Sequence, residues 1–334
     1  MKAYQLLNEN GIDGLQLNEV PEPTPGDHEV LVRVKGSSIN ARDLSTVQNP
    51  GPRNIQFPFV PNSDGAGEVV AIGPAVSKVN VGDRVCSTLL QSWQSGPIQP
   101  SDHANALGGT LEGMLCEYRA LPEDGVVHTP AHLSDVEAST LTCAGVTAWH
   151  SIVEAGCVKA GDTVLLLGTG GVSVFSLQIC NMLGARAIIT SSSDEKLQRA
   201  SDLGAWKTIN YNTHPDWEKQ VLALTNNVGV DHTVEVGGAG TLGKSIMATK
   251  HAGSIGLIGV LTMGEFNPLM ILAKSIKLQG IYCGSRQMLQ DLNRAYAANE
   301  VKPVVDKVYA FNDAPQAFRD MQTAEHFGKL VVEI

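Results

Sequence analysis

No C-x-x-C pair occurs in this chain of 334 residues; its six cysteines, Cys86, Cys116, Cys143, Cys157, Cys180 and Cys283, are scattered. Without redox or metal spacing they read as small buried hydrophobes of a reducing compartment. No run approaches about 20 uninterrupted apolar residues, which excludes a membrane-spanning helix. The start, MKAYQLLNENG, lacks the long apolar stretch of a signal peptide, so a cytoplasmic protein is expected. Internal repeats, low-complexity tracts and long charge runs are also missing. Basic residues are the minority, 24 against 34 acidic, for a net charge of −10. That field disfavours nucleic acid and anionic membranes, yet leaves room for a local basic pocket around one phosphate.

What is present is the balance of a globular protein, with 43% apolar and 17% charged residues and length for two domains. Up to about residue 125, short alternating strands such as Glu29–Val34 and Gly67–Ile72 are broken by Gly and Pro, as in a compact β-rich domain. From about Asp135 the pattern becomes strand, helix, strand, helix. Val164–Leu167 suits a parallel strand buried on both faces, and Val172–Leu183 follows with helical spacing. Ala187–Thr190 and Asp194–Leu203 form the next pair, with Ser193 as N-cap and Gly204 as the stop. Further short strands are expected at Thr208–Asn210, Thr233–Val236, Ser254–Val260 and Lys277–Tyr282. Such alternation predicts a doubly wound parallel sheet. After about Val305, strands at Asp306–Phe311 and Lys329–Ile334 flank a short helix at Pro315–Met321. The last strand is expected to rejoin the first domain. The fold class is therefore α/β, with a discontinuous β-rich domain (1–125 and 305–334) and a Rossmann dinucleotide-binding domain (126–304).

The chemistry is most legible at Thr163-Val-Leu-Leu-Leu-Gly168-Thr169-Gly170-Gly171-Val172-Ser173, a strand, a tight glycine turn and a helix start. Gly168 permits the sharp exit, and Gly170 lets the backbone approach a pyrophosphate. The helix N-terminus then faces the anion. Ser173 replaces the usual third glycine and is still small. Inside a βαβ repeat this arrangement is a specific dinucleotide signal.

An acid at the end of the second strand normally grips the ribose of NAD and repels a 2′-phosphate. Here Ser191, Ser192 and Ser193 stand there with Lys196 close by, while Asp194 and Glu195 fall at a helix N-terminus where acids are expected. Hydroxyls and an ammonium suit a phosphate, so NADP(H) is preferred over NAD(H). Tyr211, just past the strand Thr208–Asn210, is grouped with the cofactor-binding residues.

Several further segments carry a resemblance. They are Pro61-Asn-Ser-Asp64-Gly65-Ala-Gly67, Val81-Gly-Asp-Arg-Val85, Cys143-Ala-Gly-Val-Thr147-Ala-Trp149, Val234-Glu-Val-Gly237-Gly238 and His326-Phe-Gly-Lys329. With the glycine turn, the whole chain resembles the medium-chain dehydrogenase/reductase superfamily, in its zinc-free, quinone-oxidoreductase-like or zinc-independent alcohol dehydrogenase-like branch. The resemblance implies a GroES-like catalytic domain, a Rossmann domain, cofactor and substrate held in a cleft between them, and a homodimer through the Rossmann domain. It also implies that Thr147 lies against the nicotinamide and that Gly237 passes under the dinucleotide. Ile258, Gly259 and Val260 would bring backbone groups to the nicotinamide amide. Lys329 would contact phosphate or ribose.

Zinc-dependent members carry Cys, His and Cys at positions that here look like Asn40, Ser63 and Cys143. Two of these cannot ligate zinc well, and the four clustered cysteines of the structural zinc lobe are missing. No metal is expected. Charge on a substrate oxygen then falls to fixed hydrogen-bond donors. The resemblance places Asn40 and Asp43 near the nicotinamide. There Asn40 would donate to a carbonyl or to the ribose, and Asp43 would orient Asn40 or Arg42, or relay a proton. Both residue types also favour turns. His150 is a weaker acid/base candidate. Trp93, in the Gly/Pro/Ser-rich stretch Ser87–Gly109, is placed near a pocket.

These observations predict a zinc-independent NADP(H)-dependent oxidoreductase acting on a small alcohol/carbonyl pair or a quinone. A reductase of enone or enal C=C bonds is the second reading. A dinucleotide-binding protein with little turnover is the third, because the turn specifies binding and not chemistry.

Overall fold

The computed structural model describes residues 1–259 and 261–334. Its strands are β1 (Lys2–Leu6), β2 (Leu15–Glu19), β3 (Glu29–Ile39), β4 (Ala66–Ile72), β5 (Arg84–Ser87), β6 (Tyr118–Pro122) and β7 (Val126–His128). They continue as β8 (Thr163–Leu166), β9 (Arg186–Ser191), β10 (Lys207–Asn210), β11 (Val230–Glu235), β12 (Thr249–Leu257), β13 (Lys277–Gly280), β14 (Val305–Ala310) and β15 (Lys329–Glu333). Among the described residues no helix is long and apolar enough to cross a membrane.

The chain divides into two compact units, Met1–Val146 with Gly284–Ile334, and Thr147–Cys283. In the first, β14-β15-β3-β4-β5-β7 form one sheet, with β6 also paired to β3. Pairing is antiparallel except between β14 and β15. Alternation along β3 explains its place: Val30, Val32 and Val34 share one face and are buried against Val69, Val85, Leu121 and Val126. The C-terminal strand β15 lies antiparallel to β3, with Leu330 opposite Ile39. Around that pairing Ile39, Leu330 and Val332 meet Tyr4, Leu6 and Phe318 in a second core.

The unit boundaries differ from those read along the sequence. Segments 126–146 and 284–304 belong to the first unit. The helix Arg286–Asn299 lies on β7, where the Asn293 side-chain amide donates to the His128 carbonyl at 2.9 Å and the Arg286 guanidinium donates to the Val126 carbonyl at 3.2 Å. A local helical pattern does not tell which unit a helix packs on.

The second unit is a parallel sheet in the order β10-β9-β8-β11-β12-β13. The order reverses between β8 and β11, and ligands of such sheets bind outside the carboxyl ends of the strands at that switch. Val164, Leu165 and Leu166 of β8 are fully buried, each adding about 1.5–3 kcal/mol by burial. The expected strands 254–260 and 277–282 prove to be Thr249–Leu257 and Lys277–Gly280. One core histidine is notable. His232 of β11 sits between the Ser151 hydroxyl at 3.0 Å and the Ser254 hydroxyl at 2.8 Å. Burial pushes its pKa down to about 4, so it is a neutral hydrogen-bonding group.

Candidate active site

β8 delivers the chain to the glycine turn. Gly168 has φ +72°, a left-handed conformation that favours glycine, and its amide donates to the Thr190 hydroxyl at 3.2 Å. Gly170 is the N-cap of the helix Gly171–Leu183, and a Cβ built there would meet nothing within 4 Å. The turn therefore presents open space in front of a helix N-terminus whose first N–H groups have no intrahelical acceptor. Gly171 and Val172 begin that helix. Ser173 is buried, and its hydroxyl donates to the Leu167 carbonyl at 2.6 Å, tying helix to strand where a third glycine is usual. Thr169 faces Ser191, their hydroxyls 3.4 Å apart. This cradle fits a pyrophosphate.

At the end of β9 the serines have separate tasks. Ser191 is buried beside Thr169 and Ser192 is exposed. The Ser193 hydroxyl accepts the Lys196 amide at 3.3 Å, capping the helix Asp194–Asp202. Ser193, grouped with the phosphate ligands by sequence, caps its helix as an acceptor and keeps its hydroxyl hydrogen to donate. Asp194 accepts the Asn210 amide at 2.6 Å. The Tyr211 ring is 40% exposed, and its backbone amide donates to the Ser191 carbonyl.

Glu235, fully buried at the end of β11, organises the other lip of the switch point. Its Oε1 accepts the amides of Gly237 at 2.7 Å and Gly238 at 3.1 Å and the Thr241 hydroxyl at 2.6 Å, and its Oε2 accepts the Ser245 hydroxyl. The Glu235 carbonyl accepts the amides of Ile258 at 2.8 Å and Gly259 at 3.2 Å. A Cβ on Gly259 would fall 1.8 Å from the Val236 carbonyl oxygen, so only glycine fits. Glu235 was not singled out from sequence; an acid directly before a Val-Gly-Gly turn was the available signal. Val260 lies outside the described residues. Thr147 is buried in a single turn, Val146–Trp149, flanked by π-helical turns at Leu141–Gly145 and His150–Ala155. Such turns recur at functional sites. His150 bonds the Cys283 carbonyl through Nδ1 at 2.7 Å, and burial lowers its pKa.

The catalytic candidates lie in the first unit, where β3 ends and the helix Ala41–Gln48 begins. Asn40 is the N-cap. Its backbone amide donates to Asp43 Oδ2 at 2.9 Å, and its side-chain Nδ2 donates to the same oxygen at 3.1 Å and to the Ser63 hydroxyl at 3.4 Å. Asp43 Oδ1 accepts the Ser63 amide at 3.1 Å and the Arg42 guanidinium at 3.3 Å. Ser63 donates to Asp64 Oδ1 at 2.9 Å, and Ser38 donates to Asp64 Oδ2 at 2.6 Å. The Asp43 carboxyl is pushed above the usual carboxylate range by burial, partly opposed by Arg42. Lys329, 3% exposed, donates to the Ile39 carbonyl at 2.7 Å and to Asn40 Oδ1 at 2.5 Å, with Asp64 Oδ2 at 3.9 Å. Lys329, expected from the resemblance at phosphate or ribose, directs its ammonium to Ile39 and Asn40 of this cluster. Ser38, Ser63 and Asp64 join the cluster although sequence reading gave them no catalytic part. Trp93 is buried, its Nε1 donating to the Gly96 carbonyl within its own loop.

Residues 26–131 match the family model of the alcohol dehydrogenase GroES-like domain, and residues 171–298 match that of the zinc-binding dehydrogenases. A zinc-type alcohol dehydrogenase-like protein of Schizosaccharomyces pombe is 40% identical over 97% of this chain and 96% of its own length. Another from Leptosphaeria maculans is 33% identical over 96% and 94%. A solved structure of an NAD-dependent alcohol dehydrogenase is 32% identical with a TM-score of 0.91, covering all of both chains. The chain belongs to the zinc-type alcohol dehydrogenase-like proteins of the medium-chain dehydrogenase/reductase superfamily, and is an oxidoreductase of alcohol dehydrogenase type built from a GroES-like and a Rossmann domain.

The zinc in the family's name meets an unsuitable donor set here. Asn40 spends its amide on Asp43, Ser63 and Lys329, and Ser63 presents a hydroxyl already bonded to Asp64. Among the described residues no three His, Cys, Asp or Glu side chains are grouped to hold a metal ion. A tetrahedral zinc site needs three strong donors and an open position. These residues do not fit it.

The open space at Gly170 makes a direct prediction. Gly170→Val places side-chain atoms in the cradle without a backbone conflict, because its φ of −78° and ψ of −176° are ordinary. NADPH affinity by fluorescence titration falls by about 10- to 100-fold, about 1.4–2.8 kcal/mol, with the melting temperature nearly unchanged. Unaltered affinity means that the pyrophosphate is held elsewhere.

Proposed function

We propose that the chain is a metal-free NADP(H)-dependent oxidoreductase of the quinone-oxidoreductase-like or zinc-independent alcohol dehydrogenase-like branch. It moves hydride between the nicotinamide and a small alcohol/carbonyl pair or a quinone. The observation that carries the metal-free reading is the Asn40–Asp43–Ser63–Lys329 cluster, which has hydrogen-bonding groups at the family's metal-ligand positions and a lysine as its cation. When bound, reduced nicotinamide supplies the hydride. Gly168–Val172 hold its pyrophosphate, Glu235 keeps the turns at Gly237 and Gly259 in shape, and Thr147 packs against the ring.

Hydride addition to a carbonyl carbon leaves negative charge on oxygen, and fixed donors stabilise it best when they need no reorganisation. Asn40 and Ser63 are the donors proposed for this task, each turning from a partner it has in the cluster, Asp43 or Asp64, to the substrate oxygen. Asp43, with its raised pKa, is the nearest proton store to both. NADP(H) is favoured because the end of β9 carries hydroxyls, with Asp194 engaged by Asn210. The NAD-dependent relative argues the other way.

We also assign the homodimer to the second unit. Leu261, Met263, Leu269 and Leu272 are 60–88% exposed, close in sequence to β13, which ends the sheet and, among the described residues, pairs with β12 alone. A second copy is the occupant that removes both an apolar patch and an open strand edge. Light scattering gives twice the 35.4 kDa chain mass for the native protein and a single chain mass for Leu272→Glu; a native monomer rules the assignment out.

The chemistry is tested by one panel. Purified protein is given NADPH with 9,10-phenanthrenequinone, a saturated aldehyde or an enal, and NADP⁺ with a primary alcohol. Turnover of quinone or aldehyde is expected. Saturation of the enal alone supports C=C reduction, and tight cofactor binding without turnover supports a binding protein. Ser191→Asp weakens NADPH by about tenfold more than NADH, a difference of about 1.4 kcal/mol; an unchanged preference refutes the NADP assignment.

A further inference from the structure

Lys329 and Asn40 are separated by 289 residues and joined by the shortest contact of the buried cluster, 2.5 Å from ammonium to amide oxygen. A lysine only donates, so the Asn40 atom facing it is the oxygen, and the amide hydrogens must point the other way, at Asp43 and Ser63. Asp43, which only accepts, favours the same orientation from the nitrogen end, and Lys329 fixes the oxygen end. β15 aims the lysine, since its pairing with β3 sets Leu330 opposite Ile39 at the strand's end. The ammonium is held by the Ile39 carbonyl and Asn40, with Asp64 close enough to balance its charge. Asp43 and Arg42 complete the charged surroundings. An ammonium so enclosed is directed into its own unit.

We infer that Lys329 is a positioning residue that sets which way the Asn40 amide faces and is not a ligand of the dinucleotide. The inference deepens the proposed function, on which its kinetic arm rests. It predicts a split that phosphate binding cannot produce. Lys329→Met removes the donor and the charge. Lys329→Gln keeps a donor for Asn40 Oδ1 on a side chain one atom shorter, and removes the charge.

The experiment measures NADPH affinity and the kcat and KM of whichever substrate the wild type turns over, for both variants. For Lys329→Met, kcat falls by about 30-fold while the NADPH Kd stays within about threefold. Lys329→Gln recovers kcat to within about fivefold of wild type. A Kd weakened by about tenfold or more in both variants, with kcat intact at saturating cofactor, overturns the inference. So does a glutamine variant as slow as the methionine one. If the methionine variant does not fold, the glutamine variant decides alone on the same two numbers. A wild type without turnover defeats the proposed function and leaves the inference testable by the Kd and by the side-chain amide resonances of Asn40 in asparagine-labelled protein. Those resonances move in Lys329→Met and stay close to native in Lys329→Gln; unmoved resonances in both contradict it.

Discussion

A buried ammonium is the constraint on which the first unit turns. Lys329 is 3% exposed, and an unpaired charge at that depth costs several kcal/mol even after the surroundings relax. It is tolerated because the end of β3 offers a carbonyl and the Asn40 amide oxygen, with Asp64 nearby. Those groups are in reach only if the last strand of the chain returns to β3, so the discontinuous first unit and its polar cluster are one solution. Asp43 and Asp64 against Arg42 and Lys329 make two acids and two bases.

The second unit solves a related problem with backbone groups. Glu235 is as buried as the acids of the first unit, yet it meets two amides and two hydroxyls rather than a cation. Its carboxylate shapes one lip of the switch point, while the turn at Gly168–Ser173 forms the other and is left open. In the proposed function one unit receives an anion at a helix N-terminus, and the other meets the charge on a substrate oxygen.

Features set by local sequence were readable before the structure. The β8–turn–helix unit follows from a short apolar run, two glycines and helical spacing, and the Ser193 cap falls where its sequence places it. Asn40 and Asp43 were legible as a pair because an N-cap and its third residue form a local box. Long-range features were not readable. Lys329 reaches across 289 residues to Asn40, and nothing near it in the chain names its partner. Ser63 and Asp64 looked like a failed metal motif, and their joint role emerges only when β3 brings Ser38 and Asn40 to them. Segment 284–304, which the sequence reading runs into the Rossmann domain, belongs to the first unit, because a local pattern fixes a face and not a neighbour.

The relatives of this chain carry zinc-type names, while the donors at Asn40 and Ser63 do not fit a zinc ion. Asn40 and Ser63 are engaged by Asp43, Asp64 and Lys329. The account therefore stands on charge supplied by the protein. The most direct measurement is elemental analysis of the purified protein, run beside hydride transfer on the same sample after exhaustive chelation. The account predicts zinc far below one per chain and a rate equal to that of untreated enzyme. One zinc per chain, with activity lost on chelation and restored only by zinc, would contradict it.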